Sequence, residues 1–239
     1  METLAQINAK RWADCRISPA KASVFAAVAR RLTAPEAKAR YQAVEKTTGV
    51  PWWFIAVVHE RESSQRWNTQ LAQGDPLSRK SVHRPVGRGP FNTWEEGAYD
   101  ALVNCPPYAA RNKDWSIGEA LAMLEKYNGL GYYHKGVPSP YIWAGTNQYS
   151  KGKYVADDVY DPNHVDTQLG CAGLLKTMGV LGGSPAVSAG AATGVVIAGG
   201  AALAATPQHY WPHIIGGVMA LAFITFIAFE VYRYTKENK

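Results

Sequence analysis

Trp52-Trp53-Phe54-Ile55-Ala56-Val57-Val58-His59-Glu60-Arg61-Glu62-Ser63-Ser64 decides how this chain is read, because an almost wholly apolar run ends abruptly in a charged cluster. A helix buried on most sides that delivers a carboxylate at its C-terminal end has three outcomes for that group. It finds a partner, it reaches water, or it stays protonated near neutral pH because burial disfavours the charged form. The last outcome makes a general acid; taken alone, the cluster also fits a solvated helix cap. Positions 60 and 62 lie about 200° apart on a helix, so the two carboxylates cannot face one cleft. Glu62 shares a stripe with Ile55, Val58 and His59, and Glu60 shares one with Trp53, Ala56 and Val57, so periodicity leaves the choice open.

Outward from this run, helical periodicity with punctuation fills the first 180 residues. Ser18-Pro19 opens a segment through Phe25, Val28 and Leu32, Pro35 opens the next, and Gly49-Val50-Pro51 separates that one from the key helix. Residues 65–90 change to short polar pieces with Gly74, Pro76, Pro85, Gly87, Gly89 and Pro90, which predicts a small antiparallel hairpin or irregular lobe. Thr93 with Glu96 and Ser116 with Glu119 fit the capping box, predicting helices over 94–104 and 117–128, the second stopped by Gly129. Asp161-Pro162 is expected to open a last helix through Val165, Leu169, Leu174 and Leu175 to Met178.

Composition bounds the rest. The chain has 239 residues with 47% hydrophobic content, enough for one core plus an appendage. Its three cysteines, Cys15, Cys105 and Cys171, are odd in number and far apart, which argues against a disulfide framework or zinc site. The net charge of +6 suits an anionic polymer, and no nucleic-acid motif accompanies Lys10-Arg11, Arg30-Arg31 or the Lys38 and Arg40 pair. Met1-Glu2-Thr3-Leu4 places an acid where a signal peptide carries Lys or Arg.

Beyond Gly182 the composition shifts, so the expected organisation is a folded domain over 1–182 and a membrane anchor over 183–239. Residues 186–206 are small and apolar, a possible first helix, with Gly190, Gly194, Gly199 and Gly200 offering close-approach surfaces, or else a flexible linker. Residues 212–232 reach the roughly twenty residues that span a hydrocarbon layer, with Tyr210 and Trp211 before the apolar core and Tyr232 and Tyr234 after it, ahead of a basic tail over 233–239. A two-helix hairpin would leave both ends on the cytoplasmic side, because its connecting loop lacks Lys and Arg.

Five stretches together carry a resemblance: His59-Glu60-Arg61-Glu62-Ser63-Ser64, Gly74-Asp75-Pro76-Leu77, Trp94-Glu95-Glu96, Tyr127-Asn128-Gly129 and Ser139-Pro140-Tyr141-Ile142-Trp143. Over roughly residues 36–178 the chain resembles phage and prophage lysozyme-like proteins, related to goose-type lysozymes and lytic transglycosylases. It departs from the transglycosylase pattern where Leu130 separates Gly129 from Gly131.

The resemblance implies a mainly α, α+β lysozyme-like fold with a small β lobe, and a muramidase that cuts peptidoglycan glycan strands without metal or cofactor. It implies Glu62 as general acid, with Glu60 in reserve, since His59-Glu60 is also similar to an element of plant-type chitinases. Asp75 is the candidate second carboxylate, although Asp before Pro also fits a plain turn former. Tyr127, Asn128, Tyr133, Tyr141 and Trp143 offer flat faces and polar tips suited to pyranose rings, although such aromatics also build cores. The expected partners are glycan strands and, through the C-terminal segment, the bilayer of a host inner membrane or virion.

Overall fold

The computed structural model of the chain describes residues 2–156 and 158–181. These residues form nine α-helices, two short 3₁₀ helices and one two-stranded sheet, so the described part is mainly α with a small β element. The segments over 186–206, 212–232 and 233–239 read as membrane anchor lie outside the described residues. Among those described, no helix is long and apolar enough to cross a membrane.

Local signals account for most boundaries. Helix α1 (Leu4–Asp14) opens on a capping box in which Thr3 and Gln6 exchange side-chain and backbone hydrogen bonds. After a single 3₁₀ turn at Pro19–Lys21, α2 (Ala22–Leu32) follows; α3 (Pro35–Thr48) starts on its proline and stops where Gly49 turns left-handed at φ +73°. Helix α4 (Trp52–Ser63) ends at two consecutive left-handed residues, Ser64 at φ +53° and Gln65 at φ +61°. Helix α5 (Trp94–Val103) is capped by the Thr93 hydroxyl, which accepts from the Glu96 amide.

Helix α4 is the spine of the core. Phe54, Ile55, Ala56, Val57 and Val58 are each fully buried, and α4 packs against α2, α3, α6 (Ile117–Asn128) and α9 (Cys171–Met178). Burying each large apolar side chain stabilises by about 1.5–3 kcal/mol, so this helix contributes more to the fold than its helical propensity does. Its polar positions are absorbed as well: the buried His59 ring accepts from Tyr41 Oη through Nδ1 at 3.1 Å and donates through Nε2 to the Arg66 carbonyl at 2.9 Å. Burial pulls its pKa down to about 4, which keeps the ring neutral in this pairing. All three cysteines are free and buried, in separate parts of the fold.

The structure decides one open alternative and differs from two expectations. Residues 65–90 form no hairpin, only a single bridge between Thr69 and Pro76, within the irregular alternative. The strands are instead β1 (Lys153–Ala156) and β2 (Val159–Asp161), antiparallel neighbours. Asp161-Pro162 therefore closes a strand rather than opening a helix, and α9 starts ten residues later with Gly170 as N-cap. At α6 the Ser116 hydroxyl makes no cap; the Ser116 amide donates instead to Asp114 Oδ1 at 2.8 Å, an Asx turn that outcompetes the capping box.

Candidate active site

A cleft of about 430 Å³ opens at the C-terminal end of α4, within the size range of small-molecule and sugar sites. Glu62 and Arg61 from α4, Asn128 and Gly129 from the end of α6, and Pro140 and Tyr141 from α8 (Pro140–Trp143) form one side. Lys153, Tyr154 and Ala156 from the hairpin, with Asp158 at its turn, form the other. Tyr132, on α7 (Gly131–Lys135), backs the hairpin by accepting from the Tyr154 amide at 2.9 Å.

Glu62 is half-buried, and the Tyr141 hydroxyl donates to its Oε1 at 2.9 Å. Burial pushes its pKa up to about 7, against the opposing pull of that hydrogen bond and of the Arg61 charge. Tyr141 and Tyr127 are themselves held well above the usual phenol range, chiefly by burial and then by the Glu62 charge, so both keep their protons. With Oε1 occupied as an acceptor, the proton of the neutral acid resides on Oε2. A carboxyl that is protonated near neutral pH and lines a cleft is the geometry of a general acid.

The two glutamates left open by periodicity separate cleanly. Glu60 points to the opposite side of α4, where its Oε2 accepts from Arg31 Nη2 at 2.9 Å, and it does not line the cleft. Asn128 and Tyr141 join Glu62 at the cleft. Tyr127 donates through its hydroxyl to the Leu71 carbonyl at 3.2 Å and packs edge-on to Phe54, so it buttresses the site from within. Trp143 is 1% exposed and belongs to the core, while Tyr133 lines a separate hollow of about 110 Å³ against α1.

Asp75 stands outside the cleft lining. Its Oδ2 accepts from the Val82 and His83 amides at 2.8 and 3.0 Å, and its Oδ1 pairs with His83 Nδ1 at 2.8 Å. Burial raises the pKa of this carboxyl, but those hydrogen bonds outweigh it and leave the group below its ordinary value. Here the carboxylate closes the 76–83 loop. Its neighbour Gly74 makes the closest approach to the site's backbone, since a β-carbon there would lie 2.6 Å from the Glu62 carbonyl oxygen.

No protein-family profile, curated protein or solved structure matches this chain.

Several residues of the cleft escaped the sequence reasoning. Asp166, with a side chain that is 0% exposed, accepts from Arg61 Nη2 and Lys153 Nζ, both at 3.1 Å, and from the Gln168 amide. The Arg61 guanidinium also lies 4.7 Å from the centroid of the Tyr141 ring and donates to the Leu169 carbonyl. Lys153-Tyr154-Val155-Ala156 and Val159-Tyr160-Asp161 carried a usable signal, two β-prone runs around a short acidic turn. Asp166 carried none, because its partners are 105 and 13 residues away in sequence.

Proposed function

We propose that the protein is a lysozyme-like muramidase that cleaves the β-1,4 bond between N-acetylmuramic acid and N-acetylglucosamine in peptidoglycan. Glu62 is the general acid. The observation that carries this is a single carboxyl held protonated to about pH 7 at the floor of a sugar-sized cleft. Glu62 Oε2 gives its proton to the leaving glycosidic oxygen as the bond to the anomeric carbon breaks. The carboxylate left behind is stabilised by the Tyr141 hydroxyl and by the nearby Arg61 charge.

Among the described residues, Asp166 has its oxygens committed to Arg61, Lys153 and Gln168, Asp75 is committed to its loop, and Asp158, the remaining carboxylate of the cleft lining, is exposed at the hairpin turn. This favours the single-acid branch, in which the substrate's own muramyl hydroxyl or acetamido group captures the oxocarbenium-like centre. The cleft's Tyr154, Tyr132 and Asn128 supply ring faces and hydrogen-bonding tips for the sugars. The C-terminal apolar segment over 212–232 tethers the enzyme to a host inner membrane or virion membrane.

Loss of turbidity of isolated sacculi tests the reaction, with Glu62→Gln and Glu60→Gln alongside the wild type. The expected outcome is a loss of about 10²–10⁴-fold in Glu62→Gln, the range of one general acid, and little change in Glu60→Gln. An inert wild type, or full activity in Glu62→Gln, removes the assignment. Turnover of chitooligosaccharides without muramyl sugars would instead favour a chitinase-like hydrolase.

A further inference from the structure

Arg61 and Glu62 line the same cleft, and an ion pair between them would strip the acid of its proton. Here the guanidinium is committed elsewhere. Arg61, whose side chain is 6% exposed, spends one nitrogen on Asp166 and another on the Leu169 carbonyl, and lays its plane against Tyr141. Asp166 takes a second cation from the hairpin, Lys153, and caps the Gln168 amide, so one buried carboxylate ties α4, β1 and the approach to α9 together.

We propose that Asp166 is a positioning residue for the acid: it holds the Arg61 guanidinium away from the Glu62 carboxyl and pins the hairpin as the far wall of the cleft. Its kinetic consequences rest on the muramidase reading; its effect on Glu62 does not. Tyr141 from α8 and Arg61 on its own helix act on the Glu62 carboxyl, the Glu62 charge acts in turn on Tyr127 from α6 and Cys171 from α9, and Lys153, Asp158 and Asp166 line the same cleft. Among these Arg61 and Lys153 are the cations and Asp166 pairs with both, but Arg61, next to Glu62 on α4, is the more deeply buried of the two. Removing Asp166 leaves a buried guanidinium uncompensated, and of the carboxyls that remain in the cleft lining Glu62 is next to it on α4 and partly buried, whereas Asp158 is exposed.

The test is Asp166→Asn in the full chain, with two readouts. Titration of the Glu62 carboxyl by ¹³C NMR of glutamate-labelled protein, assigned by its disappearance in Glu62→Gln, works whether or not the chain cuts sacculi. The expected midpoint lies lower than in wild type by about one pH unit, a tenfold shift of the ionisation constant. Activity at pH 7 is then expected to fall about fivefold through kcat, as the protonated fraction of the acid drops, with the basic limb displaced to lower pH by about one unit. The triple variant Arg61→Met/Lys153→Met/Asp166→Asn, which has neither of the two cations that Asp166 holds, is expected to restore the midpoint to the wild-type value or above.

A folded Asp166→Asn protein whose Glu62 midpoint does not move overturns the proposal, as does uniform activity loss at every pH with no displacement of the limb. Should Asp166→Asn not fold, the triple variant alone decides, since a Glu62 midpoint below that of the wild type in a protein lacking both cations contradicts the mechanism. A displaced midpoint in a chain inert on sacculi would remove the muramidase reading and leave the positioning role standing.

Discussion

Replacing Tyr141 by Phe removes the hydrogen bond that draws the Glu62 pKa down, so its expected effect is opposite in sign to that of Asp166→Asn. Such a bond is worth about 0.5–1.5 kcal/mol, and the basic limb of the pH-rate profile is expected to move up by about half a unit to one unit. A downward shift in Tyr141→Phe would contradict the hydrogen-bonding arrangement. A second carboxyl offers a stability test without any assay of function. Glu125 is 3% exposed on α6, and burial pushes its pKa from 4.5 up to about 7. The native state thus holds a proton that the unfolded chain releases. The stabilisation is complete below about pH 4.5 and is lost as pH rises through about 7. Glu125→Gln is neutral at every pH, so its unfolding free energy relative to wild type is expected to improve by on the order of 3 kcal/mol between pH 4.5 and 8. His59, depressed to about 4, acts with the opposite sign over 4–6.5 but is common to both proteins and cancels in the difference. Denaturant unfolding at the two pH values measures it, and a pH-independent difference would show that Glu125 is not buried as a neutral acid.

At the scale of elements, the crossing of residues 73–75 over the end of α4 is the sharpest packing constraint near the cleft. Gly74 and Gly49 share a left-handed backbone, at φ +72° and +73°, yet a β-carbon at Gly49 meets nothing within 4 Å. Both alanine variants carry the left-handed penalty of about 1 kcal/mol, whereas Gly74→Ala must also displace the Glu62 carbonyl. Gly74→Ala is therefore expected to cost more stability than Gly49→Ala and, unlike it, to lower activity; equal melting temperatures would refute the close approach. The helices were legible in sequence wherever local chemistry set their ends, as at Pro35, Gly49, Thr93 and Gly129. Reading failed where two local devices competed, as at Ser116, whose backbone amide went to Asp114, and where a β-prone pair at 153–161 was passed over for the glycine-rich stretch at 65–90. Glu62, Asn128 and Tyr141, picked out in sequence, come together in the lining of one cleft. The counter-charge network at Asp166 was not legible, because pairing across a hundred residues leaves no period or spacing to read.

At the scale of the whole molecule, every residue of the buried apolar core among the described residues lies between Cys15 and Leu175. A chain ending at Leu181 is therefore expected to melt in one cooperative transition within a few degrees of the full chain, since stability scales with the surface buried in that core. Calorimetry checks this, and a broad or much lower transition would show that residues 182–239 take part in the fold. The three thiols extend the same logic. Cys15 follows α1, Cys105 follows α5 and Cys171 begins α9, and burial raises all three pKa values, to about 11 at Cys105 and about 12 at Cys171. A native molecule is consequently deaf to alkylating reagents, and each sulfur becomes reactive only when its own neighbourhood opens. Mass-resolved labelling would then time three separate breathing motions in one experiment, so that the molecule carries its own set of clocks.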